Sequence, residues 1–229
     1  MTRVNKTVII NMKVNILGNT KRRFTDVNIK YKIYVDCDDT VLNSSETIIE
    51  LLNKKYGLNK TIRDLKDWNY RSVKKDITKK EISDIYESDE FWDKVKVKSW
   101  FMPVYMLGED IFDWVFISKG TRKNLEKKER FLKKVFGKNI KFAPVFIYEG
   151  QHGEEKTKYD MYKAIQIDNV TSELKDTNAM VKILYTDGHK FRWNNKCTVN
   201  GIDNLYYVEN SDDIKSIIEF FVKICKCGE

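Results

Sequence analysis

The stretch Ile33-Tyr34-Val35-Asp36-Cys37-Asp38-Asp39-Thr40-Val41 decides how the rest of the chain is read. An apolar, β-branched and aromatic run passes directly into three acids within four residues. Such a run reads as a buried strand. Carboxylates crowded at its end repel one another, and they are costly unless a cation or strong donors compensate them. Two acids one residue apart can share a divalent ion of the magnesium type, which prefers oxygen ligands. An acidic turn capping the next helix is the plainer reading of the same residues.

Outward from this point the chain alternates. Tyr31–Val35, Trp114–Ile117, Val145–Tyr148, Ala164–Ile167, Lys182–Tyr185 and Leu205–Val208 read as strands of a buried parallel sheet. Between them lie amphipathic patterns. Ser44–Tyr56 carries Ile48, Ile49, Leu52 and Tyr56 on one face and ends at Gly57, and Thr121–Phe136 ends at Gly137. Ser211 opens a last helix with Ile214, Ile217, Ile218, Phe221, Val222 and Cys225 at helical spacing. This alternation predicts an α/β fold, a parallel sheet flanked by helices. Residues 59–100 interrupt it with charged, aromatic-studded, helical sequence, placed to overhang the carboxyl ends of the strands as a cap. The expected division is a basic extension over 1–30, with Val4–Ile10 and Lys13–Leu17 as a small hairpin, a core of 31–58 and 101–229, and a cap of 59–100.

A length of 229 residues suits one domain of moderate size or a core with a small insertion. No apolar run is long enough to span a bilayer and no secretory leader is visible, which predicts a cytoplasmic protein without membrane contact. Cys37, Cys197, Cys225 and Cys227 do not make a disulfide framework at this length. They read as free thiols, with zinc on Cys197, Cys225, Cys227 and His189 as a minor alternative. With His152 and His189 the only histidines, histidine-based catalysis is a poor first choice. The net charge of +8 is concentrated in residues 1–32, at +7, and 119–141, at +8, which leaves −7 for the remainder. Two basic fields predict an anionic partner, a small phosphorylated substrate or nucleic acid.

Further strand ends add to the acidic one. Phe116-Ile117-Ser118-Lys119-Gly120 offers a hydroxyl, a lysine and a glycine, suited to holding a phosphate. Ile165-Gln166-Ile167-Asp168-Asn169 ends a strand with an acid and an amide, and Lys158 stands ten residues before Asp168. In a parallel sheet these ends face one crevice.

This set resembles the haloacid dehalogenase-like phosphohydrolase superfamily, over roughly residues 31–190. Asp36, Asp38 and Thr40 match its first motif, and Ser118, Lys158 and Asp168 match the second, third and fourth. Within it the chain looks most like the 5′(3′)-deoxyribonucleotidases, on Trp68-Asn69-Tyr70, Tyr86–Trp92 and Lys128-Glu129-Arg130-Phe131-Leu132. The resemblance implies magnesium-dependent hydrolysis of nucleoside monophosphates through an aspartyl-phosphate. Asp36 would be the nucleophile and Asp38 the acid and base. Magnesium would lie on Asp36, the Asp38 carbonyl and the Asp168/Asn169 pair. Ser118, Lys158, Lys119 and Lys128 would bind phosphate. Thr40, Phe91 and Trp92 would contact substrate, the two rings either stacking on a base or packing in the core. Asn169 stands where the family has a second Asp, and Ser44 where the nucleotidases often have an aromatic. Other phosphoesters, such as a sugar phosphate or a phosphorylated DNA end, and a weakly catalytic nucleotide-binding module are the alternatives. Oligomeric state is left open, a homodimer being one option.

Overall fold

The computed structural model describes residues 31–148, 153–189, 191–194 and 201–227, the last four without their side chains. The hairpin expected in the first 30 residues and the zinc alternative on Cys197, Cys225 and Cys227 lie outside what is described.

The apolar runs form one six-stranded, wholly parallel sheet: β1 (Tyr31–Asp36), β2 (Phe112–Gly120), β3 (Lys141–Phe146), β4 (Ile165–Asp168), β5 (Val181–Tyr185) and β6 (Leu205–Val208). Their order is β3-β2-β1-β4-β5-β6. The chain therefore winds outward from β1 in one direction and returns to its other side at β4. This places the topological switch point between the carboxyl ends of β1 and β4, where open α/β sheets bind ligands. Asp36 and Asp168 are the last residues of those two strands.

Seven α-helices are described: α1 (Ser44–Tyr56), α2 (Lys79–Tyr86), α3 (Asp89–Lys94), α4 (Phe101–Gly108), α5 (Arg122–Phe136), α6 (Thr171–Lys175) and α7 (Ser211–Cys227). Alternation along the strands separates the two faces of the sheet. Ile33, Val35, Trp114, Phe116, Ile165 and Ile183 enter the larger core with α1, α4 and α7. Tyr34, Val115, Ile117 and Val145 enter a smaller one on the opposite face.

α1 ends at Gly57, whose φ of 63° and ψ of 32° make the left-handed stop that glycine tolerates without strain. β3 differs from expectation, running over Lys141–Phe146 rather than Val145–Tyr148. It is an edge strand, paired to β2 alone, and its burial alternates along its length. A search for continuous apolar runs therefore misses its first half, which begins with an exposed lysine and contains Pro144, a residue tolerated on edges.

Residues 59–100 contain α2, α3 and a short 3-10 turn over Ile62–Asp64, with one isolated bridge between Leu42 and Val97. Thr78 and Ser88 cap α2 and α3 through their hydroxyls. Thr121 Oγ1 donates to Glu87 Oε1 at 2.7 Å, and Lys54 pairs with Glu90 at 2.7 Å, fastening this segment to α5 and α1.

Candidate active site

The site starts with the turn after β1. The Cys37 carbonyl accepts from the amides of Val41 (3.0 Å) and Leu42 (2.8 Å), and Asp39 takes a left-handed φ of 59°. This tight reversal brings Asp36 and Asp38 to one crevice. Asp36 is buried, and its Oδ1 accepts from Lys156 Nζ at 2.6 Å. The same ammonium donates to Asp168 Oδ2 at 2.6 Å, so Lys156 joins the ends of β1 and β4. Asp38 Oδ1 accepts from Ser44 Oγ at 2.6 Å, while Oδ2 accepts from Lys128 Nζ. Lys128, on α5 and fully buried, also donates to Ser118 Oγ at 2.7 Å. Three carboxylates, two ammonium groups and two hydroxyls thus form two linked clusters at the switch point.

Burial shapes the charges. It is the main cause that pushes the Asp36 carboxyl up to about 8; Asp168 and Asp38 add to it and Lys156 opposes it. Desolvation works against the Lys156 ammonium, but Asp168 and Asp36 outweigh it and hold that pKa above the ordinary lysine value. Burial drives the Cys37 thiol far up, so this cysteine stays neutral and inert between its acidic neighbours.

A cavity of about 510 Å³ opens over these groups. Asp36, Asp38, Lys156 and Asn169 contribute to its lining, with Trp68 and Tyr86 on the side of the helical segment. Trp68 is 38% exposed and stacks on Trp193 with centroids 4.0 Å apart; Trp193 stacks on Phe191 at 4.4 Å. Three aromatic planes therefore stand in a row, ending at a residue of the cavity wall.

The donor set suits a hard cation. Asn169 is 2% exposed, and neither atom of its side-chain amide has a partner within the protein. An orphaned buried amide is costly and calls for a ligand or water. Asp168 is otherwise engaged, with Oδ1 accepting from the Val170 amide (3.0 Å) and Oδ2 from Lys156. Among the described residues no group of three or more His, Cys, Asp or Glu is arranged to hold a metal. An ion here would rest on the Asp36 carboxylate, the Asp38 carbonyl and the Asn169 amide oxygen, an all-oxygen set of the kind magnesium takes.

The expected site residues fall into two groups. Asp36, Asp38, Ser118, Lys128, Asp168 and Asn169 converge, whereas Lys158 does not. It turns outward to pair with Glu154, its ammonium 5.0 Å from the centre of the Tyr159 ring. Lys156, two residues earlier, takes the inward position. The short 3-10 turn Lys156–Lys158 sends the two lysines to different sides, and spacing along the sequence could not distinguish them. Lys119 lines the cavity but pairs with Glu155 (2.6 Å) and Glu173 (3.6 Å). Phe91 is fully buried, 5.1 Å from the Tyr86 ring and 5.0 Å from that of Trp92, so of the two roles the sequence leaves open for it, core packing is the one its position fits. Trp92 donates its indole N–H to the Tyr86 carbonyl at 2.9 Å and packs on Phe131; neither α3 ring lines the cavity. Thr40 is fully buried as well, its hydroxyl unpartnered and away from the cavity lining. The sequence does not single out Lys156, and it marks Ser44 as a helix start and a missing aromatic rather than as the partner of Asp38.

No protein-family model matches the chain, and no curated protein does. Solved structures do match. A haloacid dehalogenase-like family hydrolase from Streptococcus pneumoniae is 12% identical with a TM-score of 0.56, the match covering 83% of this chain and 98% of that one. A subfamily IA hydrolase of the same superfamily from Geobacter sulfurreducens is 8% identical with a TM-score of 0.51, covering 82% and 96%. YfnB from Bacillus subtilis, described as a HAD-hydrolase and solved bound to magnesium, is 12% identical with a TM-score of 0.51, covering 83% and 99%. The fold is that of the haloacid dehalogenase-like hydrolases. No helix among the described residues is long and apolar enough to cross a membrane.

Proposed function

We propose that the chain is a magnesium-dependent phosphomonoesterase working through an aspartyl-phosphate on Asp36. The observation that carries this reading is the convergence of Asp36, Asp38, Ser118, Lys128, Lys156 and Asn169 on one crevice at the switch point. A carboxylate oxygen of Asp36 attacks phosphorus, and the bond to the leaving oxygen breaks as Asp38 supplies its proton. Water then attacks the same phosphorus, Asp38 takes the water's proton, and the Asp36–phosphoryl bond breaks. Ser118 and Lys128 contact each other and are placed to donate to the phosphoryl oxygens. Once the phosphoryl group shares the Lys128 ammonium, Asp38 Oδ2 is free to carry a proton. Lys156 holds Asp36 in its attacking position by bracing it against Asp168. A magnesium ion, when bound on Asp36, the Asp38 carbonyl and Asn169, supplies positive charge that offsets repulsion between carboxylate and phosphate.

For the substrate we favour nucleoside monophosphates. Support comes from the aromatic row ending at Trp68, since stacking on an aromatic side chain contributes about 1–3 kcal/mol per base. It takes over the role that the sequence suggests for Phe91 and Trp92. A phosphorylated nucleic-acid end is the second reading, favoured by exposed Arg122 and Lys123 just beyond Thr121 of the cavity wall. The test is phosphate release from deoxy- and ribonucleoside 5′- and 3′-monophosphates, sugar phosphates and a 3′-phosphorylated oligonucleotide, with magnesium and with EDTA. Magnesium-dependent release from mononucleotides supports the reading. Release from the oligonucleotide alone, weakening steeply with salt, moves the substrate to nucleic-acid ends. No release from any of them removes the hydrolase reading.

A further inference from the structure

One helix runs beside the cavity with a single face turned to it. Lys79, Ile82, Ser83 and Tyr86 of α2 all belong to the lining, and they stand at i, i+3, i+4 and i+7. The C-terminal end of that face is fastened to the core beside the phosphate site. The Tyr86 carbonyl accepts from Asn124 Nδ2 at 3.3 Å, and Glu87 accepts from Thr121 Oγ1 at 2.7 Å. Asn124 in turn lies one turn of α5 before Lys128, the partner of Asp38 and Ser118. A rise of 1.5 Å per residue sets the Cα of Lys79 about 10 Å along the axis from that of Tyr86. The lining face of α2 therefore leads away from the reacting groups to a lysine, with Ile82 and Ser83 between.

The charges on the wall single out that lysine. Lys119 pairs with Glu155 and Glu173, and Lys156 pairs with Asp36 and Asp168. Lys79, the third lysine of the lining, has no ion-pair partner among the described residues, whereas Lys80 beside it pairs with Asp84 at 2.9 Å. The helix gains nothing from the charge. Lys79 directly follows the Thr78 cap, at the positive end of the helix dipole, where a cation is unfavourable. An ammonium group left uncommitted on a cavity wall attracts an anion.

We propose that Lys79 is a specificity-determining residue that binds a second anionic group, carried by the leaving group of the substrate. The favoured substrates are then phosphomonoesters with a further phosphate or carboxylate beyond the scissile bond. Among nucleotides this selects a nucleoside bearing phosphate on both its 3′ and 5′ oxygens. The inference rests on the phosphomonoesterase reading.

The test uses two pairs of probes that differ by the second anion: thymidine 3′,5′-bisphosphate against thymidine 5′-monophosphate, and glycerate 3-phosphate against glycerol 1-phosphate. The readout is the ratio of kcat/KM for phosphate release, the probe with the second anion over the one without it. The pair that the wild-type protein hydrolyses faster decides, and it tells phosphate from carboxylate as the second anion. Lys79→Met is expected to lower the ratio about fivefold, the scale of one ion pair open to solvent, and Lys79→Arg should keep it. Sodium chloride should lower the wild-type ratio more steeply than that of Lys79→Met. A purely structural role would depress both probes together and leave the ratio unchanged. A ratio in Lys79→Met within about twofold of wild type overturns the inference while the hydrolase reading stands. Absence of hydrolysis of all four probes by the wild-type protein overturns the hydrolase reading, and this inference with it.

Discussion

Lys156 and Lys158 lie one short turn apart and show how much a single side-chain direction decides. Lys156 separates two buried carboxylates, whereas Lys158 pairs with Glu154 near the surface. Removing one partner of a buried ion pair leaves uncompensated charge and costs about 3–5 kcal/mol, while an exposed pair contributes about 0–1 kcal/mol. Lys156→Met is therefore expected to lower the denaturation midpoint sharply and abolish phosphate release. Lys158→Ala should change both little. Equal effects in urea titrations of the two variants would count against the assignment of Lys156.

Asp36 makes a second prediction. Its pKa lies at about 8 against an ordinary 3.8. In the metal-free protein the folded state therefore holds a proton between those values that the unfolded chain has released. Stability contributed at this position falls as pH rises through that window. A cation binding Asp36 must displace the proton, so magnesium affinity should increase with pH up to about 8 and binding at neutral pH should release protons. Calorimetric titration in buffers of different ionisation enthalpy reads this directly, and buffer-independent heats would contradict it.

At the scale of elements, the helical segment divides its aromatics between support and contact. Phe91 is fully buried against the rings of Tyr86 and Trp92, whereas Trp68 meets the cavity. Phe91→Ala should destabilise the fold by about 3–5 kcal/mol through the cavity it leaves, without a selective effect on substrates. Trp68→Ala should be nearly neutral for stability but raise KM for a nucleoside monophosphate about tenfold, as expected for the loss of one stacking contact. Thermal denaturation together with KM measurements separates the two, and an unchanged KM in Trp68→Ala would remove the stacking argument. These roles were not legible in the sequence. Trp68 and Phe91 sit in equally charged surroundings along the chain, and only the packing of α3 turns one inward. Elements with a strong period or a firm stop, such as α1 with Gly57 and the run into Asp36, were legible because their local rules and their tertiary environment agree. The edge strand β3 was misplaced because one-sided pairing relaxes the demand for continuous apolar residues.

For the molecule as a whole, the order of strands explains why scattered motifs become one site. Asp36, Ser118 and Asp168 are separated by scores of residues, yet parallel strands bring their carboxyl ends to one edge of the sheet. Motif residues on strands were readable for that reason, whereas Lys156, on an irregular connection, was not. The site's charge also has a whole-molecule consequence. Three acids, two lysines and an amide at 169 leave less negative charge for a cation than an Asp pair would supply. Asn169→Asp should tighten magnesium binding, read by calorimetry with the substrate absent; unchanged or weaker affinity would show that position 169 does not face the ion.

The proposed hydrolysis requires Asp36 to carry the phosphoryl group between its two steps. In Asp38→Asn protein the acid and base is gone, but para-nitrophenyl phosphate has a leaving group that departs without a proton. Mixed with that ester and magnesium, quenched in acid and digested, the variant should show one phosphoryl group on the peptide containing Asp36, formed with a burst of nitrophenolate. A burst with that peptide unmodified, or a phosphoryl group on another residue, would contradict the account.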